Sequence, residues 1–309
     1  MNYKEVGWEN KRQIARMISM VENAAPGHEE IFEKIYDKTG HAYVIGITGP
    51  PGAGKSSLTD LLARNYISQE KKVGIIAVDP TSPFSGGSIL GDRIRMNELT
   101  TDPRVFIRSM GTRGQLGGLS AGTASALQVL DAVGADIIII ETVGVGQSEV
   151  EIIKYADSIL MVMVPGLGDD IQTMKAGIME IGDVFVVNKS DLPGANKTKL
   201  ELEAMLSFMQ NKKWRPPVLL ASASRNEGIK ELVEALDNHR TYQEKEGLLF
   251  ERRKRNINEL LFEVLQDKFF RQIKELEDYP QLLKDLTRKE IDPYTAAQLL
   301  LKQLKEKRG

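Results

Sequence analysis

The stretch Gly49-Pro50-Pro51-Gly52-Ala53-Gly54-Lys55-Ser56 matches the pattern G-x-x-x-x-G-K-[ST] without a gap. An apolar run ends at Thr48 immediately before it, and an amphipathic stretch with apolar residues at helical spacing follows it. In this strand–loop–helix context, glycines let successive backbone amides face one phosphate group, and the helix dipole favours the same anion. We predict that Lys55 neutralises the β- and γ-phosphates and that Ser56 offers its hydroxyl to Mg²⁺. The predicted phosphate contacts are Gly49, Pro50, Gly52, Ala53, Gly54, Lys55, Ser56 and Ser57.

Seven short, β-rich runs alternate with amphipathic stretches around this loop. Several of them are apolar at consecutive positions, which is typical of strands buried on both faces of a parallel sheet. We therefore predict an α/β fold with a mostly parallel sheet between helices, and a ligand beyond the carboxyl ends of its strands. The runs cover residues 43–47, 73–78, 104–107, 136–140, 158–164, 184–187 and 217–220.

The run at 184–187 is followed by Asn188-Lys189-Ser190-Asp191, a tetrapeptide of the form N-K-x-D. The Asp191 carboxylate can accept hydrogen bonds from both N1–H and the exocyclic amine of guanine, whereas adenine offers no such pair. Sites built on such pairing discriminate by ~10⁴ or more. A tetrapeptide of this kind downstream of a phosphate loop predicts GTP or GDP as the ligand. The predicted guanine contacts are Asn188, Lys189, Asp191 and, through the backbone, Ser222 and Ala223.

Carboxylates end two of the apolar runs, and a third lies in a glycine-rich stretch. We predict that Glu141 holds an Mg²⁺-bound water and that the Gly144 amide contacts the γ-phosphate. Asp79 and Asp92 are predicted to join Mg²⁺ coordination or to orient water, with a helix cap or turn as the alternative for each. No glutamine directly follows Gly144, since Gln147 comes three residues later. We therefore expect slow intrinsic turnover that a partner accelerates.

Helical patterns occupy both ends of the chain. Apolar residues recur at helical spacing between Ile14 and Val21, and a second stripe begins at Ile257. The basic run 252–255 between them is predicted to be a solvated helix face. The predicted domains are an N-terminal helical extension (1–40), a P-loop GTPase domain (41–246) and a C-terminal helical arm (247–309). Because an arm of this length has little hydrophobic core of its own, it must pack against the main domain or against a second subunit.

Composition excludes several classes of function. The 309 residues include 41 Lys plus Arg and 43 Asp plus Glu, an even balance that gives no pull toward nucleic acid or an anionic membrane. Cysteine is absent and only three histidines occur, which excludes a disulfide framework and a cysteine metal site. No apolar stretch approaches the ~20 residues of a membrane span. We expect a soluble cytoplasmic protein with neither nucleic acid nor membrane as its partner.

The quoted motifs, together with the stretches 78–80, 86–92 and 141–149, resemble the MeaB/ArgK-type GTPases over about residues 10 to 290. These are metallochaperone-type GTPases of adenosylcobalamin-dependent acyl-CoA mutases, chiefly methylmalonyl-CoA mutase. The resemblance implies GTP hydrolysis coupled to cofactor delivery and to protection or reactivation of the mutase. It also implies a homodimer with the helical arm at the interface, and an adenosyltransferase is a further candidate partner.

The resemblance also implies roles for individual residues. It places Lys55, Ser56, Asp79, Asp92 and Glu141 around the phosphates and Mg²⁺, with the last four as the metal set. The loop 165–175 matches a mobile segment that faces the mutase, and its alternative is an ordinary strand–helix connection. We predict that a client which orders this loop carries Lys175, or a switch arginine such as Arg93, toward the developing phosphate charge.

Two other functions compete with this interpretation. A nickel-delivery GTPase for hydrogenase or urease needs His and Cys for metal handling, which this sequence supplies poorly. A nucleotide-switched binding module, such as a protein-targeting GTPase with another client, is the second alternative. Protein-targeting relatives use a Met-rich or basic RNA-binding domain, and the 11 methionines here are scattered.

Overall fold

The computed structural model describes residues 3–79, 97–111, 121–142, 155–166, 180–208 and 213–306. Three of the predicted site residues, Asp92, Gly144 and Lys175, lie outside the described residues, as do Arg93 and most of the loop 165–175. The chain divides into two compact units, Met1–Asn256 and Ile257–Gly309. The boundary between them falls ten residues after the predicted end of the GTPase domain at residue 246.

A parallel sheet of seven strands forms the centre of the first unit, and its strand order is β3-β2-β4-β1-β5-β6-β7. All seven predicted runs form strands, so the predicted fold class is confirmed. The continuous apolar runs are buried on both faces, because helices cover both sides of the sheet. The strands are β1 (Tyr43–Thr48), β2 (Val73–Asp79), β3 (Val105–Gly111), β4 (Ile137–Thr142), β5 (Ser158–Met163), β6 (Val184–Val187) and β7 (Val218–Leu220).

Helices form a layer on each side of the sheet. Helices α3 and α7 pack on one face, helices α1, α2 and α5 pack on the other, and α6 covers β6 and β7. The described helices of this unit are α1 (Lys11–Glu22), α2 (His28–Ile35), α3 (Lys55–Ser68), α4 (Asn97–Thr100), α5 (Ala121–Ala132), α6 (Ala195–Ser207) and α7 (Ile229–Lys245). Short 3₁₀ turns at Tyr3–Glu5 and Tyr36–Lys38 precede and follow the first two helices.

The strand order reverses direction around β1, which pairs with β4 on one side and β5 on the other. Chain connections leave the carboxyl ends of these strands in opposite directions, and this opens a crevice at that edge of the sheet. The phosphate loop joins β1 to α3 at this crevice. The topology therefore places the predicted nucleotide contacts where parallel sheets bind ligands.

Two arginines of the basic run are tied to the opposite, amino-terminal edge of the sheet. Helix α8 (Leu248–Lys274) begins in the first unit, and Arg253 donates from Nε and Nη2 to the two Asp157 oxygens at 3.0 and 2.8 Å. Arg252 Nη1 donates to Asp183 Oδ2 at 2.9 Å. The predicted solvated face is therefore wrong for these two residues, because the buried Asp157 before β5 and the partly buried Asp183 before β6 pair with them. We call Asp157, Asp183, Arg252 and Arg253 the arginine clasp.

The second unit is entirely helical in the part that the structure describes. The remainder of α8 is followed by α9 (Tyr279–Thr287) and α10 (Pro293–Glu306), which pack against each other. Large apolar side chains on α8 are exposed: Ile257, Leu261, Phe262, Val264, Leu265, Phe269 and Phe270. Among the described helices, none has the length and apolarity needed to cross a bilayer.

Candidate nucleotide site

The phosphate loop depends on glycines at two close backbone approaches. Gly49 has φ of 142°, and a Cβ there would lie 2.1 Å from the Val162 carbonyl oxygen of β5. Gly54 has φ of 86°, and a Cβ there would lie 2.3 Å from the Asn188 amide nitrogen. Larger residues are excluded at both positions, because L side chains rarely adopt this φ and the neighbouring atoms leave no room. Gly54 precedes α3, so the amides of that helix N-terminus are directed at the loop.

Lys55 is the charged residue of this loop, and only 6% of it is exposed. Its Nζ donates hydrogen bonds to the carbonyl oxygens of Gly49 at 2.7 Å and Pro50 at 3.0 Å. The side chain is therefore folded back across the loop. This arrangement holds a positive charge beside the amides that the sequence predicts will bind phosphate.

Ser56 and Glu141 come together from different elements. The Ser56 hydroxyl, in the first turn of α3, donates to Glu141 Oε1 at 2.5 Å. Glu141 is only 5% exposed, since β4 lies between β1 and β2 and the residue is in register with Ile47 and Ala77. A hydroxyl and a carboxylate are hard oxygen donors, so this pair fits Mg²⁺ in chemical type.

The structure describes less of the other two proposed metal ligands, Asp79 and Asp92. Asp79 is the last residue of β2, in register with Gly111 of β3, and its side chain lies outside the described part of the structure. Within the described residues, no group of three or more His, Asp or Glu side chains is arranged to hold a metal ion. Ser56 and Glu141 therefore supply only part of a coordination shell. Nucleotide phosphates and water usually complete such a shell.

Asn188 connects three loops at the end of the site that is predicted to bind the guanine base. Its buried amide Nδ2 donates to the Ala53 carbonyl oxygen at 2.8 Å, and its Oδ1 accepts from the Ala223 amide at 3.1 Å. Its own backbone amide donates to Met163 O at 2.8 Å. One side chain thus fixes the phosphate loop relative to the two segments predicted to bind guanine.

Asp191 is oriented by Ser222, whose hydroxyl donates to Asp191 Oδ1 at 2.6 Å. This hydrogen bond is the main reason why the pKa of Asp191 lies below its usual range, and the carboxylate is therefore ionised near neutral pH. Lys189, between the two motif ends, has φ of 56°, a left-handed conformation. That conformation turns the chain sharply after β6.

The backbone amides predicted to contact guanine have protein partners in this structure. Ser222 N donates to Glu227 O at 3.0 Å, and Ala223 N donates to the Asn188 side chain. A contact from either amide to the guanine oxygen would therefore be a shared hydrogen bond. The Ser224 hydroxyl, which belongs to no recognisable sequence motif, lies 3.1 Å from the Ser222 hydroxyl and extends this network.

Two further buried hydroxyls were also missed. Thr48 and Thr142 end the adjacent strands β1 and β4 and are fully buried. The Thr142 hydroxyl lies 3.4 Å from both Thr48 Oγ1 and Ile47 O. The only signal in the sequence is a hydroxyl residue that ends an apolar run. These contacts join the base of the phosphate loop to the strand that carries Glu141.

Comparisons with known proteins agree with this geometry. A family model described as the methylmalonyl-CoA mutase-associated GTPase MeaB matches residues 14–278. A solved structure described as a LAO/AO transport system kinase superposes with a TM-score of 0.73 and 26% identity. That superposition covers 98% of this chain and 96% of the other.

Curated relatives extend over nearly the same length. A putative GTPase of Pyrococcus abyssi is 50% identical, covering 96% of this chain and 93% of the relative. The GTPase ArgK of Escherichia coli is 35% identical, covering 95% and 91%. A mouse protein described as a mitochondrial methylmalonic aciduria type A homolog is 32% identical, covering 96% and 73%. The chain therefore belongs to the MeaB family and is a P-loop GTPase.

Proposed function

We propose that this GTPase is a cytoplasmic chaperone that gates adenosylcobalamin loading of a cobalamin-dependent acyl-CoA mutase and protects or reactivates that enzyme. The observation that carries the proposal is the family match, which spans 14–278 and whose description names methylmalonyl-CoA mutase. The mouse relative, named for methylmalonic aciduria, supports the same client. Methylmalonyl-CoA mutase is therefore the client to test first.

The described contacts support distinct roles in GTP hydrolysis. Lys55 and the amides of the phosphate loop bind the phosphates, Asn188 holds the loops together, and Asp191 selects guanine. Ser56 and Glu141 hold Mg²⁺, with Asp79 and Asp92 proposed as further members of that set. When bound, the ion would neutralise charge that develops on the phosphoryl oxygens. The Gly144 amide is proposed to contact the γ-phosphate.

The exposed apolar side chains on α8 support a homodimer. Ile257 and Leu261 are each more than half exposed, and Phe262 and Leu265 are similarly exposed on the same helix. Several large, exposed apolar side chains on one helix are typical of an interaction site. We propose that a second copy of the chain covers it, and an adenosyltransferase remains a further proposed partner.

The experiment compares GTP hydrolysis and binding across defined clients. The full-length protein, loaded with GTP or GDP, is mixed with purified methylmalonyl-CoA mutase, a second adenosylcobalamin-dependent acyl-CoA mutase, or an unrelated enzyme. We expect nucleotide-dependent binding and faster single-turnover hydrolysis with a mutase only. Normal GTP hydrolysis with no effect of any acyl-CoA mutase would contradict the proposed client and favour a nucleotide-switched GTPase with another partner.

A further inference from the structure

A buried polar network surrounds His239 at the amino-terminal edge of the sheet, away from the nucleotide site. His239 lies on α7 and is only 3% exposed. Its Nδ1 is hydrogen-bonded to the Ser158 hydroxyl at the start of β5, and its Nε2 lies 3.5 Å from Asp183 Oδ1. The Ser158 hydroxyl is in turn hydrogen-bonded to the buried Tyr43 hydroxyl. The imidazole thus connects β1, β5 and the segment before β6.

The network shares Asp183 with the arginine clasp. Asp183 Oδ2 accepts from Arg252 and from the Ile159 amide, both at 2.9 Å, while its Oδ1 faces His239. The groups that face His239 or surround it are Tyr43 of β1, Ser158 of β5, Asp157 and Asp183 before β5 and β6, Trp214 before β7, Arg252 and Arg253 of α8, and Arg240, Tyr242 and Gln243 of α7. Trp214 packs against the imidazole with a centroid separation of 4.8 Å.

Charge balance favours a neutral imidazole. The clasp contains two carboxylates and two guanidinium groups, so it is neutral when His239 carries no charge. Only 3% of the Asp157 side chain is exposed, so water screens this group weakly. A proton on His239 would add an unbalanced positive charge within this buried cluster, beside Arg252, and such a charge is costly to bury.

The hydrogen-bond directions also favour the neutral form. With Nε2–H directed at Asp183, Nδ1 accepts from the Ser158 hydroxyl, which can accept from Tyr43. A proton on Nδ1 turns that nitrogen into a donor, so Ser158 must reverse its hydrogen bond. Tyr43 would then rely on Gln243 Oε1, which is 3.4 Å from its hydroxyl. Protonation therefore reverses the hydrogen bonds through Ser158 and leaves the Tyr43 hydroxyl only the longer hydrogen bond to Gln243 as a donor.

We propose that His239 and the arginine clasp form an acid-sensitive latch that releases the α7–α8 corner, residues 239–256, from the strand beginnings when His239 is protonated. Burial is the main cause that lowers the pKa of His239 from its ordinary value of 6.5, and Arg252 lowers it further, against the raising effects of Asp183 and Asp157. In the opened corner the imidazole regains an ordinary pKa. The stabilisation is therefore complete above an ordinary histidine pKa and is lost as pH falls toward the lowered value.

Hydrogen exchange of the full-length protein between pH 5 and 7 tests the latch. After correction for intrinsic exchange rates, the equilibrium constant for opening of the corner should increase as pH falls. The increase should be at most about tenfold per pH unit, which is the limit for linkage to one proton. In His239→Gln, this pH dependence should disappear. His41→Gln is the matched control, because His41 is exposed, and it should behave as the parent does.

A direct titration keeps the inference testable if His239→Gln does not fold. Only three histidines are present, so NMR of the histidine-labelled parent can follow each imidazole, with His41→Gln for assignment. We expect His239 to titrate below the ordinary histidine value of 6.5, at the pH where the corner opens. An ordinary His239 pKa, a corner whose opening is independent of pH, or an unchanged pH dependence in His239→Gln would each overturn the proposal.

Discussion

Asp191 presents one carboxylate oxygen to Ser222, and this hydrogen bond fixes the orientation in which guanine would be read. Replacing Asp191 with Asn should weaken GTP binding on the order of 10²-fold or more, because the amide cannot accept both guanine protons. Xanthosine triphosphate should bind the variant better than the parent, since the amide can donate to the xanthine 2-oxygen. Isothermal titration with both nucleotides measures this, with the exposed Asp37→Asn as control. Equal GTP affinity in the parent and Asp191→Asn would exclude the guanine assignment.

Substitutions of Lys55 and Glu141 should impair different steps, nucleotide binding for Lys55 and hydrolysis for Glu141. Lys55→Ala removes positive charge from the phosphate loop and should weaken both GTP and GDP binding. Glu141→Ala should largely spare GDP affinity but slow hydrolysis by about 10²-fold or more, because its proposed role is confined to Mg²⁺ and the γ-phosphate. Nucleotide affinity and single-turnover hydrolysis separate the two outcomes. If Glu141→Ala hydrolyses GTP at the parental rate, with or without a client, the carboxylate has only a structural role.

At the scale of elements, α8 has two parts with different roles. A chain ending at Glu246 lacks the clasp arginines and leaves Asp157, which is only 3% exposed, without its bidentate partner. Loss of one partner of a buried ion pair lowers the free energy of unfolding by about 3–5 kcal/mol. The chain ending at Glu246 should therefore unfold at a much lower denaturant concentration than a chain ending at Asn256.

The chain ending at Asn256 should bind GTP as tightly as the full-length protein and behave as a monomer in light scattering. Denaturation curves and nucleotide titration of both truncations provide the measurement. Equal stability of the two would show that the clasp does not hold the fold. A dimer of residues 1–256 would place the subunit interface outside residues 257–309.

Sequence patterns predicted the strands because continuous apolar runs between turns leave a strong local signal. The phosphate loop and the N-K-x-D motif were equally accessible, since each is a short segment whose chemistry depends on its own residues. The clasp could not be predicted in this way. Its pairs lie 69 and 96 residues apart, and a helix-borne arginine looks the same whether it meets solvent or a buried carboxylate. The histidine network was missed for the same reason.

At the scale of the whole molecule, the remaining question is how a client reaches the phosphates. We predict that a cobalamin-dependent mutase raises GTP turnover and that Lys175→Ala loses most of this increase while binding GTP normally. Delivery of an arginine finger is worth ~10³–10⁵ in rate, and part of that range is expected here. By linkage, the nucleotide must also change the affinity for the client.

Single-turnover hydrolysis with and without saturating mutase measures the effect. Lys197→Ala is a suitable control, because this lysine on α6 is exposed and pairs only weakly with Glu201 at 3.8 Å. An unchanged stimulated rate in Lys175→Ala would remove the loop from the mechanism.

The length of β5 has a consequence for how substitutions combine. The strand begins at Ser158 beside the clasp and ends at Met163 beside the nucleotide loops, and five steps of about 3.3 Å separate the two regions by roughly 17 Å. Substitutions that far apart usually act independently, within about 0.5 kcal/mol. The change in unfolding free energy of the double variant Lys55→Ala/Arg253→Ala, relative to the parent, should therefore equal the sum of the changes in the two single variants. Substitutions at the amino-terminal edge of the sheet should therefore change the thermal tolerance of this GTPase without altering nucleotide binding and hydrolysis at the carboxyl edge.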